Sequence, residues 1–338
     1  MKPLVLVYGL GHFGYALLKH LDRHRSADYR IAAYDRDPAV MRRLRGYRQH
    51  TRINPTHYIS SAIILPENVE EVFADVSIVV LAVTSQSIPE VMAYFNTLPK
   101  PRRNLLLINS AKALDAQSGE RLEKVIGRAL KLPHHYAYLA GGTIAADLYD
   151  SYPLGATIAS TNRLAVRQAQ RLLAAPTFRL YPTSDVAGTE YCAAFKNVIS
   201  IFAGLVSGLG WPYGSETYFI SRFSREVERF VTKELKGRPT TFGMDSQCWG
   251  NDLWMSCTGK TRNREFGVLL GRGGSAKQAR ARMAQGKKTV EGLTTVCVLP
   301  KLCRDYSPYP FLSAMIAIIV SGEKPATVIG RLMENPAI

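Results

Sequence analysis

The sequence has few cysteines, and they lack the spacing of a disulfide framework or a metal site. Its five cysteines, among 338 residues, include no CxxC pair. An odd cysteine count without paired spacing is typical of a reduced protein. We therefore expect a cytoplasmic protein that holds no structural metal.

No apolar stretch is long enough to cross a bilayer without interruption. The strongly apolar run Val198 to Leu209 contains Ser200, Gly204 and Ser207, whereas a span needs roughly 20 apolar residues. We interpret this run as a buried core helix and predict no transmembrane segment. The first residues lead directly into a predicted strand, so we expect no signal peptide.

Histidine is absent from the second half of the chain, since the last one is His135. Any acid or base in that half must therefore be a lysine or a carboxylate. This argues against dehydrogenases that use a histidine in their second domain.

Acidic residues are scarce beside basic ones: 27 against 43, a formal net charge of +16. Basic clusters occur at 42–52, 260–264 and 272–288. Such charge fits nucleic acid, an anionic membrane surface, or a basic surface around a site for a small anion. Because no nucleic-acid recognition motif is present, we predict no specific nucleic-acid partner and favour a basic surface with a site for an anionic ligand.

A glycine-rich turn follows the first strand. Leu4 to Tyr8 is an apolar run typical of a buried parallel strand, and Gly9, Gly11 and Gly14 form GxGxxG before an amphipathic helix. In this setting the first glycine permits the tight turn, the second lets a pyrophosphate approach, and the third lets helix and strand pack. The pattern predicts a dinucleotide site.

The next predicted strand, Tyr29 to Tyr34, ends in Asp35. A carboxylate there can accept hydrogen bonds from both ribose hydroxyls of NAD and would repel the 2′-phosphate of NADP. Arg36 follows directly and could instead bind that phosphate. We predict NAD as the cofactor and leave NADP open.

Strand and helix patterns alternate up to Pro182, which indicates an open, mostly parallel sheet with helices on both faces. Ligands bind beyond the carboxyl ends of such strands. Three segments stand there, at 84–86, 110–112 and 141–143. Lys112 is thus placed to meet an anion or a carbonyl oxygen, whereas a lysine that stood alone there would be interpreted as a solvated loop residue.

After Pro182 the patterns are almost entirely helical. We therefore predict an α/β fold with a Rossmann-like doubly wound dinucleotide-binding domain over 1–185. An all-α domain for substrate and catalysis would follow over 186–338.

The predicted helix from Gly188 to Gly210 carries one charge between Glu190 and Glu216, namely Lys196. A buried ammonium is costly unless a carboxylate or a substrate oxygen meets it. The alternative is a lysine that reaches the surface along its stem. Small residues at helical spacing, including Ser200 and Gly204, would let another helix approach closely.

Motifs along nearly the whole chain resemble the bacterial-type NAD(P)-dependent glycerol-3-phosphate dehydrogenases. The segments that carry the likeness are GLGHFG, Asn54-Pro55 with Tyr58 and Leu65-Pro66, Ala82–Gln86, Lys112, Ala140–Ala145, Gly188–Val198, Asp252–Gly267 and Val290–Gly292. The most specific is GTEYCAAFKNV, which resembles the family's G-V-E-L-x-G-A-L-K-N-V.

This resemblance implies reduction of dihydroxyacetone phosphate to sn-glycerol 3-phosphate, a precursor of phospholipids. It implies Lys196 as the catalytic lysine and Asp252 as its partner. The substrate set is Lys112, Gly141, Thr143, Asn197, Arg262 and Asn263. The cofactor set is Gly9, Gly11, His12, Phe13, Gly14, Asp35, Arg36, Ala145, Arg262 and Glu291. Family members often pair through the helical domain, so a homodimer is an expectation.

The chain departs from the family pattern before Asp252. Residues 246–251 read SQCWGN where the family has a glycine-rich loop, and Trp249 and Trp254 flank the aspartate. A divergent pocket that accepts another small phosphorylated or acidic ketone is the alternative function. A nucleotide-binding scaffold without activity is a third reading.

Overall fold

A computed structural model describes residues 2–286 and 288–336 of the chain. The chain forms two compact units. The first contains the described residues up to Ala111 together with Glu123–Val186. The second contains Lys112–Leu122 and the described residues from Ala187 onward. The linear division into 1–185 and 186–338 stays a prediction. These units differ from it in the segment Lys112–Leu122 and in Val186, which belongs to the first unit.

The first unit is built on a seven-stranded sheet with strand order β2-β1-β3-β4-β5-β6-β7. The strands are β1 Leu4–Tyr8, β2 Arg30–Tyr34, β3 Val76–Leu81, β4 Leu105–Asn109, β5 His134–Ala140, β6 Leu154–Ala159 and β7 Phe178–Thr183. All neighbours are parallel except β5 and β6. Every residue of β1 and β4 is buried, as expected of central strands covered on both faces. The predicted mostly parallel sheet is confirmed.

Helices connect these strands. They are α1 His12–Arg25, α2 Pro38–Tyr47, α3 Glu70–Phe73, α4 Ile88–Phe95, α5 Leu122–Ala129, α6 Ala145–Tyr149 and α7 Arg163–Leu173, with a 3₁₀ turn at Ser85–Ser87. The sequence patterns do not predict helices α2, α6 and α7 or strand β7.

In the second unit every described element is helical. These elements are α8 Val186–Gly208, α9 Tyr213–Glu234, α10 Asp252–Thr258, α11 Arg262–Gly271, α12 Ala276–Gln285, α13 Glu291–Leu302, α14 Pro310–Ile319 and α15 Pro325–Met333, with a 3₁₀ helix at Pro239–Phe242 and a π-helix at Gln247–Asn251. The π-helix occupies most of the segment that the sequence suggested was a loop.

Helix α8 lies at the centre of the second unit. By length and composition it could cross a membrane, but 89% of its most apolar window is buried inside the protein. That burial is the pattern of a core helix. Its apolar side chains meet aromatic residues, as where Phe202 contacts Phe219, Phe223 and Phe311 edge to face.

The predicted small-residue face of α8 is confirmed, and α11 is the helix that packs on it. A Cβ added at Gly204 would lie 2.0 Å from the carbonyl oxygen of Arg264, and one at Gly267 would lie 1.9 Å from that of Ile201. Only glycine permits this backbone approach. The close packing sets α11, which carries two predicted substrate residues, directly against the helix that carries Lys196.

We expect Gly267→Ala to lower the free energy of unfolding by about 3 kcal/mol, because the two backbones must separate to admit a methyl group. Urea denaturation would measure the change. Gly127→Ala is the matched control: Gly127 lies in α5 and an added Cβ there meets nothing within 4 Å. The control should gain about 0.5–1 kcal/mol from helix propensity. Equal stability of Gly267→Ala and the wild type would contradict this packing.

Candidate active site

The glycine turn between β1 and α1 has the geometry that its sequence predicts. Gly9 adopts a positive φ of 92°, and a Cβ at Gly14 would lie 1.9 Å from the carbonyl oxygen of Gly9. By contrast, a Cβ at Gly11 would meet nothing within 4 Å. The first and third glycines are thus required by the protein's own packing, whereas the second leaves open space where a pyrophosphate could approach.

The start of α1 suits a phosphate group. Its N-cap, Gly11, has no side chain to accept from the first N–H groups, and the first turn has no acidic residue. These N–H groups and the helix dipole therefore remain available to an anion. His12 at the first helical position is exposed and Phe13 is half-buried. These residues fit a dinucleotide, and their role stays a prediction.

Asp35 is tied to the same turn. Its Oδ2 accepts from the N–H of Leu10 at 2.6 Å, and its Oδ1 accepts from the N–H of Asp37 at 2.8 Å. The carboxylate is therefore fixed beside the glycine turn, where it can meet ribose hydroxyls. Arg36 instead makes an exposed ion pair with Glu90 at 3.1 Å, which contributes little to stability. Both positions are compatible with cofactor contact.

We expect Asp35→Asn to raise the ratio of kcat/KM with NADPH to kcat/KM with NADH by about tenfold, equal to ~1.4 kcal/mol. The change removes the charge that repels a 2′-phosphate, and an asparagine oxygen can still accept from Leu10. Steady-state assays with both cofactors would measure the ratio. Asp37→Asn is the control, because asparagine also caps helices well and Asp37 caps α2. An unchanged ratio in Asp35→Asn would remove Asp35 from the cofactor site.

Three further predicted residues lie beyond the end of β5 in the first unit. Gly141 is buried and Thr143 is half-buried. The N–H of Thr143 donates to the carbonyl oxygen of Gly141 at 2.8 Å, and Ala145 begins α6. A side chain at Gly141 would clash with the backbone of β6, since its Cβ would lie 2.9 Å from Cα of Ala156. Packing therefore accounts for this glycine, and its substrate role stays a prediction.

The second unit contains a buried cluster of two ammonium groups around one carboxylate. Nζ of Lys196 lies 2.5 Å from Oδ1 of Asp252, and Nζ of Lys112 lies 3.0 Å from Oδ2 of the same residue. Asp252 has no exposed side-chain surface, whereas the side chain of Lys112 is 19% exposed. The ammonium of Lys196 does not reach the surface, so the alternative of a snorkelling lysine is wrong.

Burial lowers the pKa of Lys196 below its ordinary value of 10.5. The charge of Asp252 opposes that shift, and the positive charge of Lys112 adds to it. The result is a buried amine with opposing influences on its pKa. The carboxylate of Asp252 favours the protonated form, whereas burial and the charge of Lys112 favour loss of the proton. Such a group can both give and take a proton, which is the property expected of an acid–base catalyst.

Ser256 completes the contacts of Lys196, although the family resemblance assigns it no role. Its Oγ accepts from Nζ of Lys196 at 2.9 Å. Ser256 lies one helical turn after Asp252 on α10, so both side chains face α8. That i, i+4 spacing was the signal available in the sequence. The carbonyl of Ser256 also accepts from the hydroxyls of Ser200 and Thr261.

Two asparagines form a bridge between α8, α11 and α13. Nδ2 of Asn263 donates to Oδ1 of Asn197 at 2.9 Å, and Oδ1 of Asn263 accepts from the N–H of Gly292 at 3.0 Å. Nδ2 of Asn197 in turn lies 3.4 Å from Oε2 of Glu291. The predicted site residues Asn197, Asn263 and Glu291 therefore form one hydrogen-bond network with Gly292. Both asparagine side chains already make hydrogen bonds within the protein.

Arg262 begins α11 with its side chain exposed. Its guanidinium makes no hydrogen bond or ion pair with another residue in the described ranges. It lies beside the buried Asn263 in the chain, so it can offer a fork of donors to phosphate oxygens without breaking an existing contact.

A π-helix leads directly into Asp252. Gly250 is needed within it, because an added Cβ would lie 2.1 Å from the carbonyl oxygen of Met244. Trp249 is buried and contacts Phe242 edge to face at 4.9 Å between ring centres, whereas Trp254 is exposed. Single π-helical turns are frequent at functional sites. Here the π-helical turn is packed tightly and ends directly before Asp252, whose carboxylate both lysines contact.

Comparison with known proteins decides the family. Residues 4–166 match the model for the N-terminus of NAD-dependent glycerol-3-phosphate dehydrogenase, and residues 185–330 match the model for its C-terminus. A Geobacter metallireducens protein named glycerol-3-phosphate dehydrogenase (NAD(P)+) is 30% identical over 298 residues, which cover 86% of each chain. The chain belongs to the NAD-dependent glycerol-3-phosphate dehydrogenase family.

Other members of this family cover almost the entire chain. A Syntrophomonas wolfei protein of the same name is 28% identical over 337 residues, or 98% of this chain and 95% of its own. The fold agrees as well. The crystal structure of glycerol-3-phosphate dehydrogenase from Coxiella burnetii superposes with a TM-score of 0.85 and 22% identity, covering 99% of both chains.

Within this glycerol-3-phosphate dehydrogenase fold, the structure brings together Lys112, Lys196 and Asp252, and separately Asn197, Asn263 and Glu291. The predicted residues of the glycine turn, with Asp35, form a third group, which lies in the first unit. The roles of all these residues in substrate and cofactor binding stay predictions.

Proposed function

We propose that this chain reduces dihydroxyacetone phosphate to sn-glycerol 3-phosphate, with NADH as the preferred cofactor and NADPH as the alternative. The observation that carries the proposal is the buried pair of Lys196 and Asp252 at 2.5 Å, with Lys112 at 3.0 Å from the same carboxylate. A cationic, water-poor cluster of this kind suits a reaction that creates negative charge on an oxygen.

A bound nicotinamide would supply the hydride for the ketone carbon. The ammonium of Lys196 stabilises the negative charge that develops on the carbonyl oxygen and then donates its proton there. Asp252 orients the ammonium and, by opposing the effect of burial, keeps it charged. In the oxidative direction the neutral amine of Lys196 takes the hydroxyl proton of the alcohol.

The remaining residues bind and orient the substrate in this proposal. Arg262 offers a fork to the phosphate oxygens, and Lys112 adds positive charge near the reacting oxygen. Asn197 follows Lys196 in the chain and Asn263 follows Arg262, so each adds an amide group next to a cationic residue. Arg262, Lys112 and the two asparagines all lie in the second unit. Their cationic and amide groups favour a substrate that is both phosphorylated and small.

The test is an assay of the purified chain for NADH oxidation with dihydroxyacetone phosphate and a panel of other phosphorylated and acidic ketones. The proposal expects the highest kcat/KM for dihydroxyacetone phosphate and formation of sn-glycerol 3-phosphate. A clear preference for another ketone would instead support the alternative dehydrogenase. Binding of NADH without turnover of any ketone would contradict both.

We also infer a cytoplasmic enzyme whose product enters glycerophospholipid synthesis, and a homodimer. The five cysteines all lie in the described residues and form no disulfide bond there, which suits a reducing compartment. The family resemblance supports the product's use and the pairing. Light scattering of the purified protein should give twice the mass of one chain, and a mass of one chain would contradict the dimer.

A further inference from the structure

The segment Lys112–Leu122 is unusual because it interrupts the first unit in sequence and belongs to the second. Its first residue places an ammonium 3.0 Å from Asp252. Its next-to-last residue, Arg121, makes an ion pair of 3.3 Å with Glu190 on α8. The segment is therefore held at both ends by carboxylates of the helical unit.

The Arg121–Glu190 pair is buried. The side chains are 14% and 3% exposed, and the Arg121 guanidinium also lies 5.9 Å from the ring centre of Tyr191. Removing one partner of a buried pair leaves the other charge poorly solvated, so such pairs hold their geometry firmly. An exposed pair would give no comparable restraint.

The middle of the segment is compact and rests on α13. Oδ2 of Asp115 accepts from the N–H groups of Gln117 and Ser118. Gly119 has a φ of 75°, and an added Cβ would lie 3.4 Å from side-chain atoms of Val298 and Leu302. A restraint at Arg121 is thus transmitted along a short, turn-rich path to Lys112.

Lys112 needs such a restraint. It shares one carboxylate with Lys196, so two like charges face each other across Asp252, and the charge of Lys112 lowers the pKa of Lys196. This repulsion favours movement of the more exposed lysine, Lys112, away from Asp252. A segment that is free to move would also gain conformational entropy when Lys112 moves away. Glu190, through its ion pair with Arg121, opposes this withdrawal of Lys112. It lies on α8, the helix that carries Lys196, and is about 9 Å from that lysine along the helix axis at 1.5 Å per residue.

We propose that Arg121 and Glu190 are positioning residues that hold the Lys112 ammonium at the shared carboxylate and so set the affinity for the phosphorylated substrate. This inference rests on the proposed role of Lys112 in substrate binding. Neither residue has been placed in contact with substrate or cofactor. Their effect should therefore appear in the KM for the ketone and not in the binding of NADH.

The experiment compares Glu190→Gln with Glu226→Gln. Glu226 on α9 is equally buried and accepts from the N–H groups of Phe311 and Leu312, so it controls for loss of a buried carboxylate. We expect Glu190→Gln to raise the KM for dihydroxyacetone phosphate about tenfold, a change of ~1.4 kcal/mol. Its kcat and its dissociation constant for NADH should stay close to wild type, and Glu226→Gln should alter none of the three.

Hydrogen–deuterium exchange gives a readout that does not depend on activity. Peptides covering 112–122 should exchange about tenfold faster in Glu190→Gln and at the wild-type rate in Glu226→Gln, because local opening is governed by local contacts. If the wild type does not reduce dihydroxyacetone phosphate, the proposed function fails while exchange still tests the restraint. Unchanged exchange over 112–122 would overturn the inference.

Arg121→Lys provides a second test in case Glu190→Gln does not fold, because this variant keeps a positive charge opposite Glu190. A lysine can meet Glu190 as a point charge but lacks the guanidinium fork. It should give a KM between those of wild type and Glu190→Gln, with wild-type thermal stability. The contrary result would be a rise in KM that parallels the loss of thermal stability in Glu190→Gln and Arg121→Lys, with a similar rise in Glu226→Gln. That result would mean that the pair only stabilises the fold, and it would contradict a positioning role.

Discussion

Replacing Lys196 with alanine is expected to lower kcat for reduction of dihydroxyacetone phosphate by ~10²–10⁴, the usual contribution of a positioned acid–base group. The ammonium is the proton source nearest to the shared carboxylate, and its loss leaves the developing oxyanion without its proposed stabiliser. Steady-state NADH oxidation at saturating substrate would measure the change.

The fold should survive this substitution, because Asp252 keeps Lys112 as an ionic partner at 3.0 Å. Thermal denaturation would verify that. Lys233→Ala, at an exposed position of α9, is the control and should retain wild-type kcat. Turnover of Lys196→Ala within a few-fold of wild type would rule out the proposed catalytic role.

Replacing Asp252 with asparagine is expected to affect both activity and stability. Two ammonium groups would then face each other without the charge that compensates them. Breaking a buried ion pair in this way costs about 3–5 kcal/mol of stability, and we expect kcat to fall by ~10² because the proton donor is no longer held charged and oriented. Urea denaturation and steady-state assays would measure the two effects.

The pH dependence of this variant follows from the sign of the pKa shift. Reduction needs charged Lys196, so its rate should fall as pH rises through the pKa of that residue, which already lies below 10.5. The carboxylate raises that pKa, so Asp252→Asn should move the fall in rate to lower pH. Oxidation of the alcohol needs the neutral amine and should rise with pH over the same range. Asp245→Asn, an exposed change, should shift neither profile, and coincident profiles for Asp252→Asn and wild type would contradict the coupling.

Features with a local chemical cause could be predicted from the sequence. The glycine turn requires particular backbone angles and close approach, so its pattern specified the strand, the turn and helix α1. The single charge in α8 likewise indicated that a partner for Lys196 must exist. The small residues of the same helix indicated a close neighbour, which the structure identifies as α11.

Features that depend on the path of the chain could not be predicted in this way. Nothing local in Lys112–Leu122 shows that it leaves the first unit, because its restraints come from Asp252 and Glu190, which are distant in sequence. Helix α2, by contrast, has a local signal, because Asp37 is its N-cap and Pro38 its first helical residue. Helices α10 and α11 are short. The polar residues of both and the glycines of α11 lower the helix propensity, and tertiary packing compensates for this.

The most direct test of the account is a single-turnover measurement of NADH oxidation by Lys196→Ala, with and without added primary amines. The account predicts that hydride transfer itself is slowed by ~10²–10⁴, and that a small protonated amine restores part of the rate in proportion to its concentration. Hydride transfer at the wild-type rate in Lys196→Ala would contradict the claim that this buried ammonium takes up the charge formed on the ketone oxygen.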